Sequence, residues 1–569
     1  LDWEELTALR FTSKAVADLV FRFLKEMQTL ELTEASRGLL SDVLCHCRRV
    51  RIFSSVRLPE VKMLQLVQDN SVSLESFNPV VDQPFTRELL LALFQCRKQT
   101  AFLLDLDGAH DEDLLQMSEL KELQIVKLFN AAPRAVLPIV AAWSKLQTLV
   151  LRILKSDLPL LDLANLRKLR DLTIRDADEK QTVDAATGST ILSSFFRALA
   201  ALPALEHVFF KLEFSLADFA LTLTLPVARE VTLASWFTLN APNLRSLTIA
   251  ERAKPRSVDV SQLFFGAAPG VEQLSVQSIG FQWLQEPALI ELLYRLQTSL
   301  KTLWLSSYLS HAALSKLGCL HGLTSLEVWT ENVPTRSTLA MLGGLNELET
   351  LDLSVLAAEQ PDNHVCLPAL DEPAARPSEI LLPRLQKLDL RLSHKEDDCE
   401  DSAQLFGALT MPTLTRVTAR VGPVLARIMD KHPHVRVLQP TGVNSVPDNL
   451  QFPHLQALIL AHGQREVLAL SMPRLGFLQM TLNNDDDLAC LRESIVPSVR
   501  MIQLLVANGY EPHVLDALHN WPRLSCVVGN LIAPVVTKLA EWQPSVSSIC
   551  NANFKLEVSL QQLQAEQVI

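Results

Sequence analysis

Glycine is scarce in this 569-residue chain, at 17, and aromatics make up only 6%. That scarcity leaves little room for glycine-rich phosphate loops, and no G-x-x-x-x-G-K-[ST] or G-x-S-x-G motif occurs. Basic charge is also in deficit: 52 Lys and Arg stand against 64 Asp and Glu, a net charge of −12. A general nucleic-acid binder needs a basic footprint, so the balance argues against that class. The nine cysteines form no paired framework, and N-x-S/T glycosylation signals are missing. Both point to a reducing, intracellular setting, cytoplasmic or nuclear. No apolar run reaches the roughly 18 residues of a membrane-spanning helix. The best imitation, Val136 to Leu154, is broken by Lys145 and Arg152.

What the chain does have is one short frame, repeated. It reads S-L-K-T-L-W-L from Ser299, L-T-S-L-E-V-W from Leu323 and L-E-T-L-D-L-S from Leu348. Leu300, Leu323 and Leu348 stand 23 and 25 residues apart. The form L-x-x-L-x-L at that period is the strand signature of a leucine-rich repeat. Copies are read at Leu6, Met27, Cys47, Val61, Ala101, Leu123, Leu146 and Leu169. They continue at Leu205, at a V-T-L ending on Leu233, and at Leu244 and Val271. The later series is Leu385, Leu414, Val435, Leu455, Leu475, Val499, Leu524 and, weakly, Val546. Between frames, Arg87 to Phe94 and Ala288 to Tyr294 hold apolar residues at helical spacing. Proline precedes many frames, as at Pro203, Pro242, Pro383, Pro412, Pro453 and Pro473, where it stops a helix and starts an extended segment.

The expected architecture is an α/β solenoid over residues 1–569, with parallel strands on a concave face and helices on a convex one. Because frames begin at Leu6, the chain is expected to start inside the solenoid or with an unusually plain cap. The Asn that usually follows the frame is replaced, for example by Leu154, Ala177 and Glu331, so its buried ladder is absent and irregular curvature is expected. Three stretches break the period and are expected to project as loops: 176–190, 354–379 and 394–401.

Candidate chemistry is thin. Cys45-His46-Cys47 and His432-Pro433-His434 lack the paired spacing of a structural zinc site. Asn483 to Asp487 lacks the glycine and terminal glutamate of a calcium loop and reads as a solvated turn. No catalytic, cofactor or metal residue is assigned, and the chain is expected not to be an enzyme.

Strand alternation places Leu303 and Leu305 inward, so Thr302, Trp304 and Ser306 face the concave surface. The same rule gives a central row of Trp304, Glu327, Asp352 and Asp389, with Trp329 and Arg391 beside it. His207 and Phe209 take corresponding places earlier. These six residues, Trp304 to Arg391, are the candidate partner-binding patch. Two readings stay open for the tryptophans: interface anchors, or core of a curled solenoid.

The frames Pro242 to Ile249, Pro383 to Leu390 and Pro453 to Leu460 resemble the irregular repeats of the ribonuclease-inhibitor-like superfamily. They are most similar to the substrate-binding region of F-box proteins. That resemblance implies a non-catalytic protein-binding scaffold, a substrate receptor of a ubiquitin ligase, with a cullin-ligase adaptor as partner through a box upstream of Leu1. The alternative is a permanent structural subunit of a larger assembly.

Overall fold

The computed structural model describes residues 29–32, 49–52, 60–69, 71, 74–79, 86–104, 106, 109–178, 181–212, 214, 221–251, 260–264, 270–278, 286–309, 311–330, 339–340, 342–355, 380–392, 400–443, 450–461, 465–493, 496–506, 517–518, 521–529 and 548–550. The chain divides into two compact units, Leu1–Gly280 and Phe281–Ile569, each taken here by itself.

In the first unit, β1 (Thr29–Leu32), β2 (Arg49–Ile52), β3 (Ser76–Pro79) and β4 (Ala101–Leu104) are followed by β5 (Ile125–Ala131), β6 (Thr148–Ile153), β7 (Asp171–Asp176) and β8 (His207–Lys211). After them come β9 (Thr222–Thr224), β10 (Glu230–Leu233), β11 (Thr238–Asn240), β12 (Ser246–Glu251) and β13 (Gln273–Ser278). All but β9 and β11, which pair with each other, join in sequence order as parallel neighbours.

In the second unit, β14 (Thr302–Leu309), β15 (Ser325–Thr330), β16 (Thr350–Val355) and β18 (Lys387–Arg391) are parallel neighbours, with β17 (Ile380–Leu381) paired instead to β19 (Leu409–Thr410). The series continues through β20 (Arg416–Val421), β21 (Val437–Val443), β22 (Ala457–Leu460), β23 (Phe477–Leu482), β24 (Met501–Val506), β25 (Cys526–Gly529) and β26 (Ser548–Cys550). Parallel pairing of successive strands, returned in many repeats by a helix or a 3-10 turn, is the leucine-rich-repeat solenoid architecture.

The frame leucines align strand to strand: Leu149 with Leu172, and Leu303 with Leu326, Leu351 and Leu388. All five of Leu149, Leu303, Leu326, Leu351 and Leu388 are at most 1% exposed, and Leu172 is 2% exposed. Intervening segments add their own apolar face, as in the helix Arg87–Phe94, which buries Leu89, Leu90, Leu93 and Phe94. This stacking, repeat on repeat, lets a long chain bury a core without a compact centre.

Proline acts one step earlier than a strand start. In Ala241-Pro242-Asn243-Leu244 the Leu244 N–H donates to the Ala241 carbonyl at 3.1 Å, and the same bond closes Met411 to Leu414 and Met472 to Leu475. Proline is therefore the second residue of a β-turn, where its fixed φ is already correct. Repeats without proline close the same turn, as Leu146 onto Trp143 and Leu323 onto Leu320. Hydroxyls at the strand starts tie repeat to repeat: Thr100, Thr324, Thr415 and Ser525 each donate to a carbonyl of the preceding repeat. Trp143 and Trp521 do the same with their indole N–H groups, bonding Met117 and Leu491.

Two frames are corrected. Val61 lies in the helix Glu60–Asp69, and the strand comes later, at Ser76–Pro79. Val61, Leu64 and Val67 recur at helical spacing, which outweighs a chance L-x-x-L-x-L match. The frame at Ala101 moves back two residues, because Phe102 pairs with Val126 and the buried Gln99 takes the first leucine place. The frame at Leu6 lies outside the described residues.

The loop expected over 176–190 is shorter, because Ala185–Ala200 is a helix. Asp184 caps it, its carboxylate accepting the Thr187 N–H at 3.0 Å. That hydrogen bond also holds the Asp184 carboxyl below its ordinary range. In 354–379, Ser354 and Val355 belong to β16 and the remainder lies outside the described residues. In 394–401, Glu400 and Asp401 open the helix Glu400–Gly407 and the rest again lies outside them. No helix among the described residues is long and apolar enough to cross a membrane.

Candidate functional site

The site is built by strand register in the second unit. Trp304, Glu327, Asp352 and Asp389 are direct partners across β14, β15, β16 and β18. Parallel neighbours lie about 4.8 Å apart, so four side chains on one face form a continuous row. Trp329, Ser354 and Arg391 make the row beside it. Sequence alternation put Ser306 next to Trp329, but β14 is irregular between Leu305 and Tyr308, and Tyr308 takes that place. Ser306 is instead buried, at 7% exposure.

The accessibility of the row departs from the expectation of a fully exposed strand face. Trp304, Glu327 and Trp329 are half-buried and Arg391 is exposed, whereas Asp352 and Asp389 are buried at 8% and 6% exposure. Buried carboxylates persist where a cation and hydrogen bonds compensate them. Here Arg391 serves both: its Nη2 donates to Asp352 Oδ2 at 3.2 Å, and its Nε makes an ionic contact with Asp389 Oδ1 at 3.5 Å. Asp389 Oδ1 has no hydrogen bond, so that second contact is charge attraction without hydrogen-bond geometry. Ser354 adds a long bond to Asp352 Oδ1, at 3.4 Å.

Three carboxylates thus gather around Arg391, with Lys387 as a second cation. Burial, then repulsion from Asp352 and Asp389, lifts Glu327 above the usual carboxylate range, with Arg391 opposing. Burial and the Asp389 charge raise Asp352 in the same way. Burial works against the Arg391 charge, but the surrounding carboxylates hold its guanidinium above its ordinary value. The two indole Nε1 atoms, of Trp304 and Trp329, are buried and have no hydrogen-bond acceptor. Such a donor is costly to leave unmatched, by about 1–3 kcal/mol.

Sequence reasoning therefore named the six residues that register brings together, and missed Tyr308 and the burial of the two aspartates. It also passed over a row on the first unit that the same alternation rule would have found: Arg152, Arg175 and Lys211 are paired in register across β6, β7 and β8. Nearby, His207 Nδ1 lies 2.5 Å from Asp171 Oδ1, and Asp171 Oδ2 accepts the Thr148 hydroxyl at 2.9 Å. Phe209 faces outward beneath the Arg175 guanidinium, at 5.2 Å. Among the described residues, no group of three or more His, Cys, Asp or Glu side chains is placed to hold a metal ion.

No family model matches the chain, and no curated protein matches it by sequence. Among solved structures it is similar to an internalin from Listeria monocytogenes, at 16% identity over 57% of this chain and 94% of that one, with a TM-score of 0.30. It is also similar to the leucine-rich-repeat ectodomain of the Arabidopsis receptor kinase HAESA, at 11% identity over 82% of this chain and 84% of that one, with a TM-score of 0.27. At that distance the fold rests on the strand register itself: this chain folds as leucine-rich repeats.

Proposed function

We propose that the protein is a non-catalytic scaffold that binds a protein partner on the strand face of its second unit. The observation that carries the reading is the contiguous row of Trp304 and Glu327 flanked by Trp329 and Arg391. Half-buried tryptophans on a rigid sheet supply contact area through the ring surface that stays accessible. Glu327, backed by the buried Asp352 and Asp389, favours a partner that is basic and partly apolar. Arg391 is held by both aspartates and sets the local geometry.

The test uses the full chain and a fluorescein-labelled peptide of alternating Lys and Ala with a central Leu. Trp304→Ala and Trp329→Ala should weaken binding without changing the melting temperature. Equal affinity for wild type and both variants would reject the patch.

A finer reading follows the resemblance to F-box repeats: a substrate receptor that reaches a cullin-ligase adaptor, in the cytoplasm or nucleus. Free Cys96 and Cys319 are in keeping with a reducing compartment, and burial pushes the Cys96 thiol up to about 12, where it is unreactive. Co-purification of the adaptor with the protein expressed in cells tests this reading. Co-elution in one stable complex, without exchange of added protein, would favour the permanent structural subunit instead.

A further inference from the structure

We infer that the strand face of the first unit is a second docking surface, of opposite charge, for an acidic protein segment. Arg152, Arg175 and Lys211 occupy one register row on the adjacent strands β6, β7 and β8. Strand spacing puts their backbones about 4.8 Å apart, so the three basic side chains form one continuous row. Arg152 and Arg175 are exposed, and among the described residues neither guanidinium is paired with a carboxylate.

The acidic groups nearby are committed elsewhere. Asp171 holds His207 and the Thr148 hydroxyl. Asp176 lies against the buried Lys155 ammonium at 2.9 Å. The face therefore presents two guanidinium forks and no local neutralising partner for them. A fork matches a planar carboxylate with two parallel hydrogen bonds, which a lysine cannot reproduce. Phe209, beneath Arg175, restrains that guanidinium by a cation–π contact. The net charge of −12 disfavours a nucleic acid as occupant, because a large anion would be repelled outside this row. An Asp- or Glu-rich segment of a partner protein satisfies the same forks at far lower charge density.

This surface belongs to a different unit from the tryptophan patch and has the opposite preference. Two probes test it against the full chain by fluorescence anisotropy: labelled (Glu-Ala)6 and its uncharged counterpart (Gln-Ala)6. The acidic probe should bind at least about tenfold more tightly, and its affinity should fall between about 50 and about 300 mM NaCl as screening increases. The double variant Arg152→Gln, Arg175→Gln should lose most of that preference at an unchanged melting temperature. If the pair lowers the melting temperature, Arg175→Gln alone is compared instead. Equal binding of both probes, or an acidic preference that survives the substitutions, overturns the proposal. A wild-type chain that shows no acidic preference yet binds the Lys-rich probe would discard this surface and leave the tryptophan patch standing.

Discussion

The two units use one frame, and part of the second closes the strand face that the first leaves open. In the first, β6, β7 and β8 alternate strictly: Leu149, Leu172 and Val208 are buried, while Val150, Thr173 and Phe209 beside them are partly accessible. In the second, β16 is buried from Leu351 to Val355 and β22 along its whole length. Phe477, at the face position that Asp171 and His207 occupy in the first unit, is 0% exposed. A parallel strand buried on both sides reads as a continuous apolar run, and A-L-I-L at Ala457 is such a run. The frame leucines thus set where the strands lie, and the residues between them decide whether the other face stays open.

The sharpest way to break this contrast is to truncate one face position in each unit. Phe477→Ala should cost about 3–5 kcal/mol in denaturant unfolding, as deletion of a buried phenylalanine does. Gln273→Ala, at the equivalent and exposed place on β13, should stay within about 0.5 kcal/mol. Similar costs at both sites would mean that the two faces do not differ.

On the leucine side the units should behave alike. Leu303→Ala and Leu149→Ala are each expected to lower stability by about 2–5 kcal/mol, since both side chains are fully buried. An unchanged denaturation midpoint for either would remove that residue from the core.

Trp304 tests the border between open and closed. Its truncation should weaken partner binding by about 2 kcal/mol or more, in the manner of a hot-spot residue. If Trp304→Ala instead lowers stability by about 3–5 kcal/mol while the folded fraction binds normally, the residue is core.

The histidines sharpen the contrast through pH. His207 is half-exposed beside Asp171, whereas His432 is 3% exposed, with its Nε2 at 3.1 Å from the Leu409 carbonyl. Burial lowers the His432 value, and that carbonyl contact only partly opposes it. The neutral ring is therefore the folded form. Its stabilising contribution is complete above the ordinary value of 6.5 and is lost as pH falls from there toward the lowered folded value. The melting temperature should drop on going from neutral to mildly acidic buffer, and His432→Gln should flatten that drop; an identical slope in the variant would assign it to other groups.

The smallest effect has the opposite sign. Glu327 sits above its ordinary value, so its charged form is disfavoured in the folded state at neutral pH. Stability from this group is gained as pH falls through the raised folded value and is complete below the ordinary one. Glu327→Gln should raise stability by about 0.5 kcal/mol at neutral pH, with the gain vanishing in acid. A loss of stability at neutral pH would show that Glu327 is held favourably.

The sequence by itself determined the repeat, its period and the inward leucines. Each is a local, periodic consequence of strand geometry, visible wherever L-x-x-L-x-L recurs. It also determined that Trp304, Glu327, Asp352 and Asp389 share one row, because in-register parallel pairing carries each frame onto the next. Where a frame residue was polar, as at Gln99, or a helix imitated the frame, as at Val61, local pattern pointed to the wrong residues. Only the tertiary structure decided that Asp352 and Asp389 are buried behind Arg391, and that Tyr308 rather than Ser306 stands beside Trp329. Burial of an x position depends on what packs over it from elsewhere in the chain, and an irregularity inside β14 depends on how its neighbour pairs. Neither quantity is periodic, so neither is written in the spacing of the leucines.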